Sequence, residues 1–366
     1  MSYSEGVEEK MRLKDLYPIE APEFWPVTEE IDAVFDWRLD DGRQSLIQLY
    51  EKGKRKQWNA AERIDWSLEL DPENPQQLPE DTMPLKGAPF YEKMPKKDQI
   101  ALKCGHQAWT ISQFLHGEQG ALFCAAKIVQ QVPDLDSKLY AATQVVDEAR
   151  HVEAYKRLLE KFGIAWPMTG PLASLLEQVL ADSRWDMTYL GMQVVIEGLA
   201  LAAFATIRDQ AQNPLAQQVN AYVMEDEARH VAFGRLALRD YYPQLTQAER
   251  DEREEFLVEA CYLMRDRFEA REVWAYYDLP VDECVAYMNE SEGMRLFRNY
   301  LFSRIVPVVK DIGLWGPKVQ EAYAKMGVLD FANVDVEELN RRDEEIAAEL
   351  EARQRHIEDV ARLAGE

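Results

Sequence analysis

The order of apolar, polar and turn-forming residues predicts a chain built of helices. Four long helices are expected at about 97–131, 135–162, 172–211 and 214–240. Helix-breaking or capping residues separate them at Val132-Pro133-Asp134, Phe162-Gly163 and Gln212-Asn213-Pro214. Further helices are expected at about 247–275, 281–311 and 316–326, with a charged helix after them. The predicted fold class is all-α, a four-helix bundle with additional helices and an N-terminal extension.

The first 95 residues follow a different pattern, because nine prolines divide them. Only short helices are expected there, at about 28–37 and 41–53. Trp25, Trp37, Trp58 and Trp66 are expected to anchor this segment on the bundle. The chain is therefore divided into an N-terminal extension (1–95), a four-helix bundle (96–245), additional packed helices (246–330) and a charged C-terminal helix (331–366).

The bundle contains an internal repeat. The letters DEARH occur at 147–151 and again at 226–230, 79 positions later. A lone glutamate precedes each copy by the same interval, because Glu118 stands 30 residues before Glu148 and Glu197 stands 30 residues before Glu227. The chain therefore carries two copies of a Glu…Glu-x-x-His unit.

The spacing of this unit predicts where its side chains lie. Residues three apart share one face of a helix, so Glu148 and His151 project together, as do Glu227 and His230. Each 30-residue interval has a turn at its midpoint, so each unit is expected to be an antiparallel hairpin with both glutamates at one height, about 22 Å from the turn. Two hairpins packed face to face bring the whole set to one level of the bundle. Four buried carboxylates need positive charge nearby, and two divalent cations would supply it.

This ligand pattern resembles that of the ferritin-like di-iron and di-manganese carboxylate proteins, over about residues 100–240. The resemblance implies six metal ligands and a centre of two iron ions, with an Mn/Fe pair as the alternative: Glu118, Glu148, His151, Glu197, Glu227 and His230. The Asp and Arg around each motif are similar to the Asp-Glu-x-Arg-His motifs of bacterial multicomponent monooxygenases and, less closely, of soluble acyl-carrier desaturases. This similarity implies that Asp147 and Asp226 accept the second ring N–H of the histidines, supported by Arg150 and Arg229.

The repeat breaks at Tyr155, four residues after His151, because its counterpart is Gly234. The radical tyrosine in the radical-generating subunit of class I ribonucleotide reductase has the same spacing from its histidine. Tyr155 is therefore a candidate redox residue, with an ordinary core tyrosine as the alternative. Gly234 indicates space for a substrate on the other side of the centre.

Two features of the resembling families are missing. Ala200 and Leu201 follow Glu197 where monooxygenases and desaturases have a hydroxyl residue, and Val223 stands where arylamine N-oxygenases have an extra histidine. Residues one turn from the ligands are expected to line an apolar pocket: Leu115, Leu122, Gln144, Val194, Leu201, Val223 and Phe233.

Composition limits the partners. The formal net charge of −24 argues against nucleic acid or an anionic membrane surface as a partner. The four cysteines lack metal-site spacing and are interpreted as reduced thiols. No secretory signal and no run of 18 apolar residues is recognised, so no membrane span is expected and a cytoplasmic location is predicted.

The function predicted is that of a di-iron oxygenase or oxidase that uses O₂ as co-substrate on a small or medium apolar organic substrate. Hydroxylation, desaturation and N-oxygenation all remain open. An external reductase or ferredoxin must supply electrons, since no flavin, nicotinamide or Cys₄ motif is recognised, and a homodimer is considered. One alternative is a tyrosyl-radical or Mn/Fe ligand-binding oxidase similar to the reductase subunit, and a second is an iron-storing protein without catalytic activity.

Overall fold

The computed structural model describes residues 12–22, 24–29, 31–38 and 42–365, so residues 1–11 of the predicted extension lie outside it. The described residues form helices and connecting segments, with no β-strand among them. The α-helices are α1 (Gln44–Arg55), α2 (Ala60–Arg63), α3 (Pro89–Glu92), α4 (Lys96–Gln131), α5 (Leu135–Phe162), α6 (Gly170–Ala181), α7 (Trp185–Tyr189), α8 (Glu197–Gln210), α9 (Pro214–Tyr241), α10 (Gln247–Asp266), α11 (Arg271–Tyr276), α12 (Val281–Glu290), α13 (Glu292–Leu301), α14 (Ile305–Asp311), α15 (Pro317–Met326) and α16 (Val336–Gly365).

Two helical hairpins form the centre of the fold, α4 with α5 and α8 with α9, and α5 packs against α9. Both turns lie where the sequence predicts them. The Asp134 carboxylate accepts a hydrogen bond from the Ser137 N–H at 2.9 Å and so caps α5. The Asn213 side chain caps α9 through the Leu215 N–H at 3.0 Å, with Pro214 in the first turn.

The predicted single helix at 172–211 is wrong. α6 ends at Ala181, and a new helix begins at Trp185. The Lys127 ammonium on α4 donates hydrogen bonds to the carbonyls of Leu180 at 2.6 Å and Asp182 at 2.7 Å. These hydrogen bonds satisfy backbone carbonyls at the C-terminal end of α6. Because Lys127 lies more than 50 positions away along the chain, the sequence near Ala181 does not predict this helix end.

A π-helical segment, Leu190–Ile196, joins α7 to α8 and ends immediately before Glu197. α7, the π-helical segment and α8 form one continuous helical stretch, Trp185–Gln210, which is long and apolar enough to cross a membrane. This property was not predicted from the sequence. However, 89% of its most apolar stretch is buried inside the protein, as in the core helix of a bundle.

The N-terminal segment crosses the outside of the bundle. The predicted helix at 28–37 is wrong, because the described residues there are extended or irregular, whereas the second predicted helix is present as α1. Trp58 and Trp66 pack against the core, but Trp37 is 86% exposed, so tryptophans anchor only the later part of the segment.

The C-terminal helices surround this core. α16 packs on α9, and its buried Asp343 accepts hydrogen bonds from Arg208 at 2.8 Å and Arg304 at 2.5 Å. A second apolar cluster lies where the first turns of α4 meet α11 and α12.

Candidate metal centre

The six predicted ligands lie together at the middle of the bundle. α4 supplies Glu118, α5 supplies Glu148 and His151, α8 begins with Glu197, and α9 supplies Glu227 and His230. All six side chains are buried. Because each hairpin turns halfway between its glutamates, the two copies of the repeat meet at one level.

The ligand atoms form two groups. One consists of Glu118, Glu148, His151 and Glu227, and the other of Glu148, Glu197, Glu227 and His230; within each group the atoms lie within 4.8 Å of one another. Glu148 and Glu227 belong to both groups. This is the arrangement expected for two ions that share two carboxylates.

Four carboxylate oxygens of this cluster make no hydrogen bond of acceptable geometry to the described residues, although histidine Nδ1 atoms lie 3.0–3.4 Å from three of them: Glu148 Oε2, Glu197 Oε2, and Oε1 and Oε2 of Glu227. A buried polar atom without a partner costs about 1–3 kcal/mol, and a charged one costs more. Two divalent cations would satisfy these atoms and balance four carboxylates. A set of carboxylate and imidazole donors fits iron or manganese.

Burial and the charge of Glu227 raise the pKa of the Glu118 and Glu197 carboxyls well above their usual value. Burial lowers the pKa of His151 and His230, but the surrounding carboxylates outweigh this effect and raise the pKa of both well above its usual value. Bound metal ions would favour the deprotonated, ligating form of these four side chains.

The metal-free protein is therefore expected to lose stability as the pH rises. A group whose pKa is raised by folding stabilises the fold fully below its unfolded value, about 4.3 for Glu and about 6.5 for His, and this contribution is lost as the pH passes the folded value. With a chelator present, Tm should fall on the order of several degrees as the pH rises above about 6.5. Saturating Mn²⁺ should remove much of this decline. A Tm that stays constant or rises in the chelated protein would contradict the expectation.

Each motif aspartate contacts the histidine of the other hairpin. His151 Nε2 lies 3.1 Å from Asp226 Oδ2, and His230 Nε2 lies 3.2 Å from Asp147 Oδ2. The Nδ1 atoms of both histidines face the glutamates, at 3.0 Å from Glu227 Oε1 for His151. The aspartates therefore orient each ring with Nδ1 toward the cluster.

The motif arginines are buried and join the two aspartates. Arg150 contacts both, with 2.8 Å to Asp226 Oδ2, and Arg229 pairs with Asp226 and lies 3.6 Å from Asp147. Burial raises the pKa of the Asp226 carboxyl, but Arg229 and the His151 hydrogen bond outweigh this effect and hold it well below its usual value. Both aspartates thus lie in one network across the two hairpins.

Two residues of the N-terminal segment complete this network, and the sequence analysis missed both. Gln57 donates to Asp147 Oδ1 at 2.6 Å and accepts from Arg150 at 2.8 Å. The Trp58 indole N–H donates to Asp226 Oδ2 at 2.8 Å, and the Arg150 guanidinium lies over its ring. No spacing relative to the repeat identifies them; the one available signal was a tryptophan in a polar segment, which needs a partner for its N–H.

The structure places Gln144 against the half of the centre that contains Glu197. Its amide N–H donates to Glu148 Oε1 at 3.0 Å and to Glu197 Oε1 at 2.9 Å. It is the only predicted pocket residue for which a polar contact with the ligands is present in the described structure.

Tyr155 is fully buried in the other half of the centre. Its hydroxyl donates to Asn220 Oδ1 at 3.3 Å, and its ring packs against Phe114 and Phe204 with centroids 5.7 Å from each. Burial raises the pKa of this phenol well above its usual value.

The expectation of space at Gly234 is wrong. A Cβ added there would lie 2.6 Å from the Gln193 Cβ, so this glycine allows close contact between α9 and the π-helical segment. Gln193 is fully buried and fills the space that a second phenol would occupy.

The family model described as P-aminobenzoate N-oxygenase AurF matches residues 40–313, which covers both hairpins and most of the flanking helices. The chain belongs to this family. The AurF family lies within the ferritin-like di-iron superfamily predicted from the repeat, which confirms that prediction. The chain belongs to the AurF family although Val223 occupies the position at which an arylamine N-oxygenase is expected to have a histidine.

Relatives of this AurF-family chain include uncharacterized proteins of Mycobacterium bovis and Mycobacterium tuberculosis, 22% identical over 219 residues. The match covers 57% of this chain and 63% of each relative, so it spans less than two thirds of their length.

Solved structures with similar helices include an R2-like ligand-binding oxidase with a Mn/Fe cofactor, 19% identical, with a TM-score of 0.48 over 75% of this chain and 99% of that one. A dimanganese(II) NrdF of Streptococcus sanguinis is 12% identical, with a TM-score of 0.48 over 79% and 98% of the two chains. Similarity at this level says nothing about the function of an AurF-family chain.

A cavity of about 430 Å³ lies beside α4 and α8. Phe114, one turn before Glu118, lies at its inner end, and the other walls come from residues 76–86 and from Phe268, Met294 and Phe297. None of the seven predicted lining residues contributes to it. Leu115, Val194, Leu201, Val223 and Phe233 are buried in the core and Leu122 is half-buried, so a lining role for them stays a prediction.

Proposed function

We propose that this chain is a dinuclear iron enzyme that activates O₂ and oxidises a small or medium apolar organic substrate. The observation that carries the proposal is the pair of buried ligand groups sharing Glu148 and Glu227. The N-oxygenase activity for which the matched family is named favours N-oxygenation over hydroxylation or desaturation. The cavity beside the cluster favours an enzyme over an iron-storing protein.

The six ligands would hold two iron ions, which when bound supply Lewis-acid and redox chemistry for O₂ activation. The protein's part is to fix those ligands and to exclude bulk water. The aspartates and arginines hold the two imidazoles, and Gln144 holds the carboxylates of Glu148 and Glu197. Burial of the whole set lowers the effective dielectric constant around it and so strengthens each electrostatic contact.

The cavity is proposed as the substrate site. Its inner walls are mostly apolar, with Phe114, Ala203, Ile207 and Phe297 among them. Phe114 lies four residues before Glu118, about 6 Å along the helix axis, so a molecule in the cavity would approach the first ligand group. Movement of the Phe114 ring would then admit its reacting end.

Electron supply, assembly and location are also proposed. A reductase or ferredoxin would donate electrons, and the chain is proposed to act in the cytoplasm. A homodimer is proposed because apolar side chains stand exposed where the N-terminal segment crosses α4 and α5. These are Phe35, Trp37, Phe123 and Val146.

The direct test is metal loading followed by reaction with O₂. Protein from iron-rich medium is expected to contain about two iron ions per chain, because the ligands form two near-equal groups. After anaerobic reduction, it should consume O₂ and convert an added arylamine to an oxygenated product, measured by an oxygen electrode and mass spectrometry. A protein that loads iron but shows no reaction with O₂ would contradict the proposal and favour storage.

The Tyr155→Phe variant separates an oxygenase from a tyrosyl-radical or Mn/Fe oxidase. If Tyr155 only packs between Phe114 and Phe204, loss of one hydroxyl should leave substrate oxidation within about tenfold, roughly 1.4 kcal/mol of barrier. We expect this mild result. The matched control is Tyr140→Phe, another buried phenol near the centre. A tyrosyl-radical signal in the native protein that is abolished by Tyr155→Phe, with metal retained, would favour the radical oxidase.

A further inference from the structure

Gln76 stands out among the residues that line the cavity. Its side chain is 1% exposed, and neither its amide nitrogen nor its amide oxygen has a hydrogen-bond partner among the described residues. Buried amide groups in native proteins are almost always paired, so an unpaired one beside a cavity points to a ligand.

The backbone of Gln76 is fixed from two sides. Its N–H donates to Gln107 Oε1 at 3.0 Å, and its carbonyl accepts from the Asn213 N–H at 3.3 Å. The next residue, Gln77, has φ of 52°, in the left-handed region that a side chain other than glycine rarely adopts. The surrounding contacts therefore hold the amide in place at the cost of local backbone strain.

Among the described residues that line the cavity, no lysine or arginine is left unpaired for an anionic ligand. Lys103 pairs with Glu80 at 2.8 Å, and Lys86 lies 3.6 Å from Glu92. Burial lowers the pKa of His106 to about 4, so its imidazole is neutral at neutral pH. Arg267 is buried nearby but does not line the cavity.

The polar end of the cavity, at Gln76, lies about 10 Å from the inner end, at Phe114. Gln107, which holds the Gln76 backbone, stands seven residues before Phe114 on α4, about 10 Å along the axis. The cavity lining also includes Trp109, Ala203 and Ile207, with Thr110 and Thr206 as small polar residues.

We propose that Gln76 selects an uncharged substrate whose far end carries a carboxamide-like group, able both to donate and to accept a hydrogen bond. The reacting end lies about 10 Å away, at Phe114. This inference rests on the proposed function, which makes the cavity the substrate site. It implies a substrate that differs from p-aminobenzoate, the acid named in the description of the matched family.

Calorimetric titration of metal-free protein with three probes of matched length tests the proposal. Biphenyl-4-carboxamide is expected to bind at least about tenfold more tightly than biphenyl-4-carboxylate at neutral pH, and more tightly than biphenyl, because only the amide pairs both atoms of Gln76. Equal or tighter binding of the carboxylate, or no binding of the carboxamide, would overturn the proposal.

The Gln76→Met variant keeps the volume and removes both polar atoms. It should weaken carboxamide binding at least about tenfold, leave biphenyl binding unchanged and raise Tm, because an unsatisfied buried amide is lost. A purely structural glutamine would lower Tm instead, which would overturn the assignment. Gln210→Leu is the control, since Gln210 lines the same cavity but is exposed. If Gln76→Met does not fold, that outcome itself indicates a structural role and contradicts the proposal.

These measurements need neither metal nor turnover. Failure of carboxamide binding with intact O₂ consumption would refute only the role of Gln76. Carboxamide binding without any reaction of the iron-loaded protein with O₂ would refute the proposed function and leave the binding site standing.

Discussion

Replacing Glu148 with alanine is expected to remove most of the metal from both halves of the centre. Glu148 belongs to both ligand groups, so one substitution takes a ligand from each ion. Metal analysis after loading should show well under one ion per chain, and O₂ consumption should fall to background. Glu227→Ala should act in the same way.

The control for this experiment is Glu153→Ala. Glu153 lies on the same helix, five residues after Glu148, but it is exposed and pairs with Arg157 at 2.7 Å. Its loss should leave two ions bound. Retention of both ions in Glu148→Ala and Glu227→Ala would refute the shared-carboxylate centre, whatever the activity of the protein.

Asp226→Asn is expected to reduce metal affinity by about 10–100-fold, because Asp226 holds His151 in the orientation that directs Nδ1 toward the cluster. The substitution keeps the volume but removes a charge that Arg150 and Arg229 both contact. Competition with a chelator of known affinity measures the change. Asp147→Asn should act on His230 in the same way.

A matched control is available in Asp186, a buried aspartate on α7 that pairs with Arg253 at 3.0 Å, away from the metal ligands. Asp186→Asn should lower Tm without changing metal affinity. If Asp226→Asn and Asp147→Asn lower Tm but bind metal as tightly as the native protein, the two aspartates serve only the folding of the bundle.

The repeat predicted the centre of this fold well because its information is local and periodic. Three-residue spacing, Pro133 and Pro214 determine which faces meet and where the hairpins turn. By contrast, the break after Ala181 depends on Lys127 from another helix, and no helix-propensity argument contains that contact. The helix expected at 28–37 failed because nothing in the described structure packs an amphipathic face there.

Counting positions along the helix predicts the surroundings of the ligands less well, for a related reason. Counting turns backwards from Glu197 assumes an α-helix, but Leu190–Ile196 is π-helical, and its wider turn rotates Val194 relative to an ideal helix. Gly234 suggested space because glycine has no side chain, but Gln193 of that same segment packs directly against it. The cavity lies along α4 beyond Phe114, farther from the ligands than one turn, so its residues could not be found by spacing from the motif.

The contacts of Gln57 and Trp58 have a consequence for biosynthesis. Both residues leave the ribosome about 90 positions before the first aspartate they hold and about 170 before the second. α1 packs against α5 and α9, so it has no complete docking surface until α9 has been made. The docking surface for α1 is therefore complete only after both hairpins have been synthesised. A minimal bundle cut to α4–α9 would present both aspartates without these two donors.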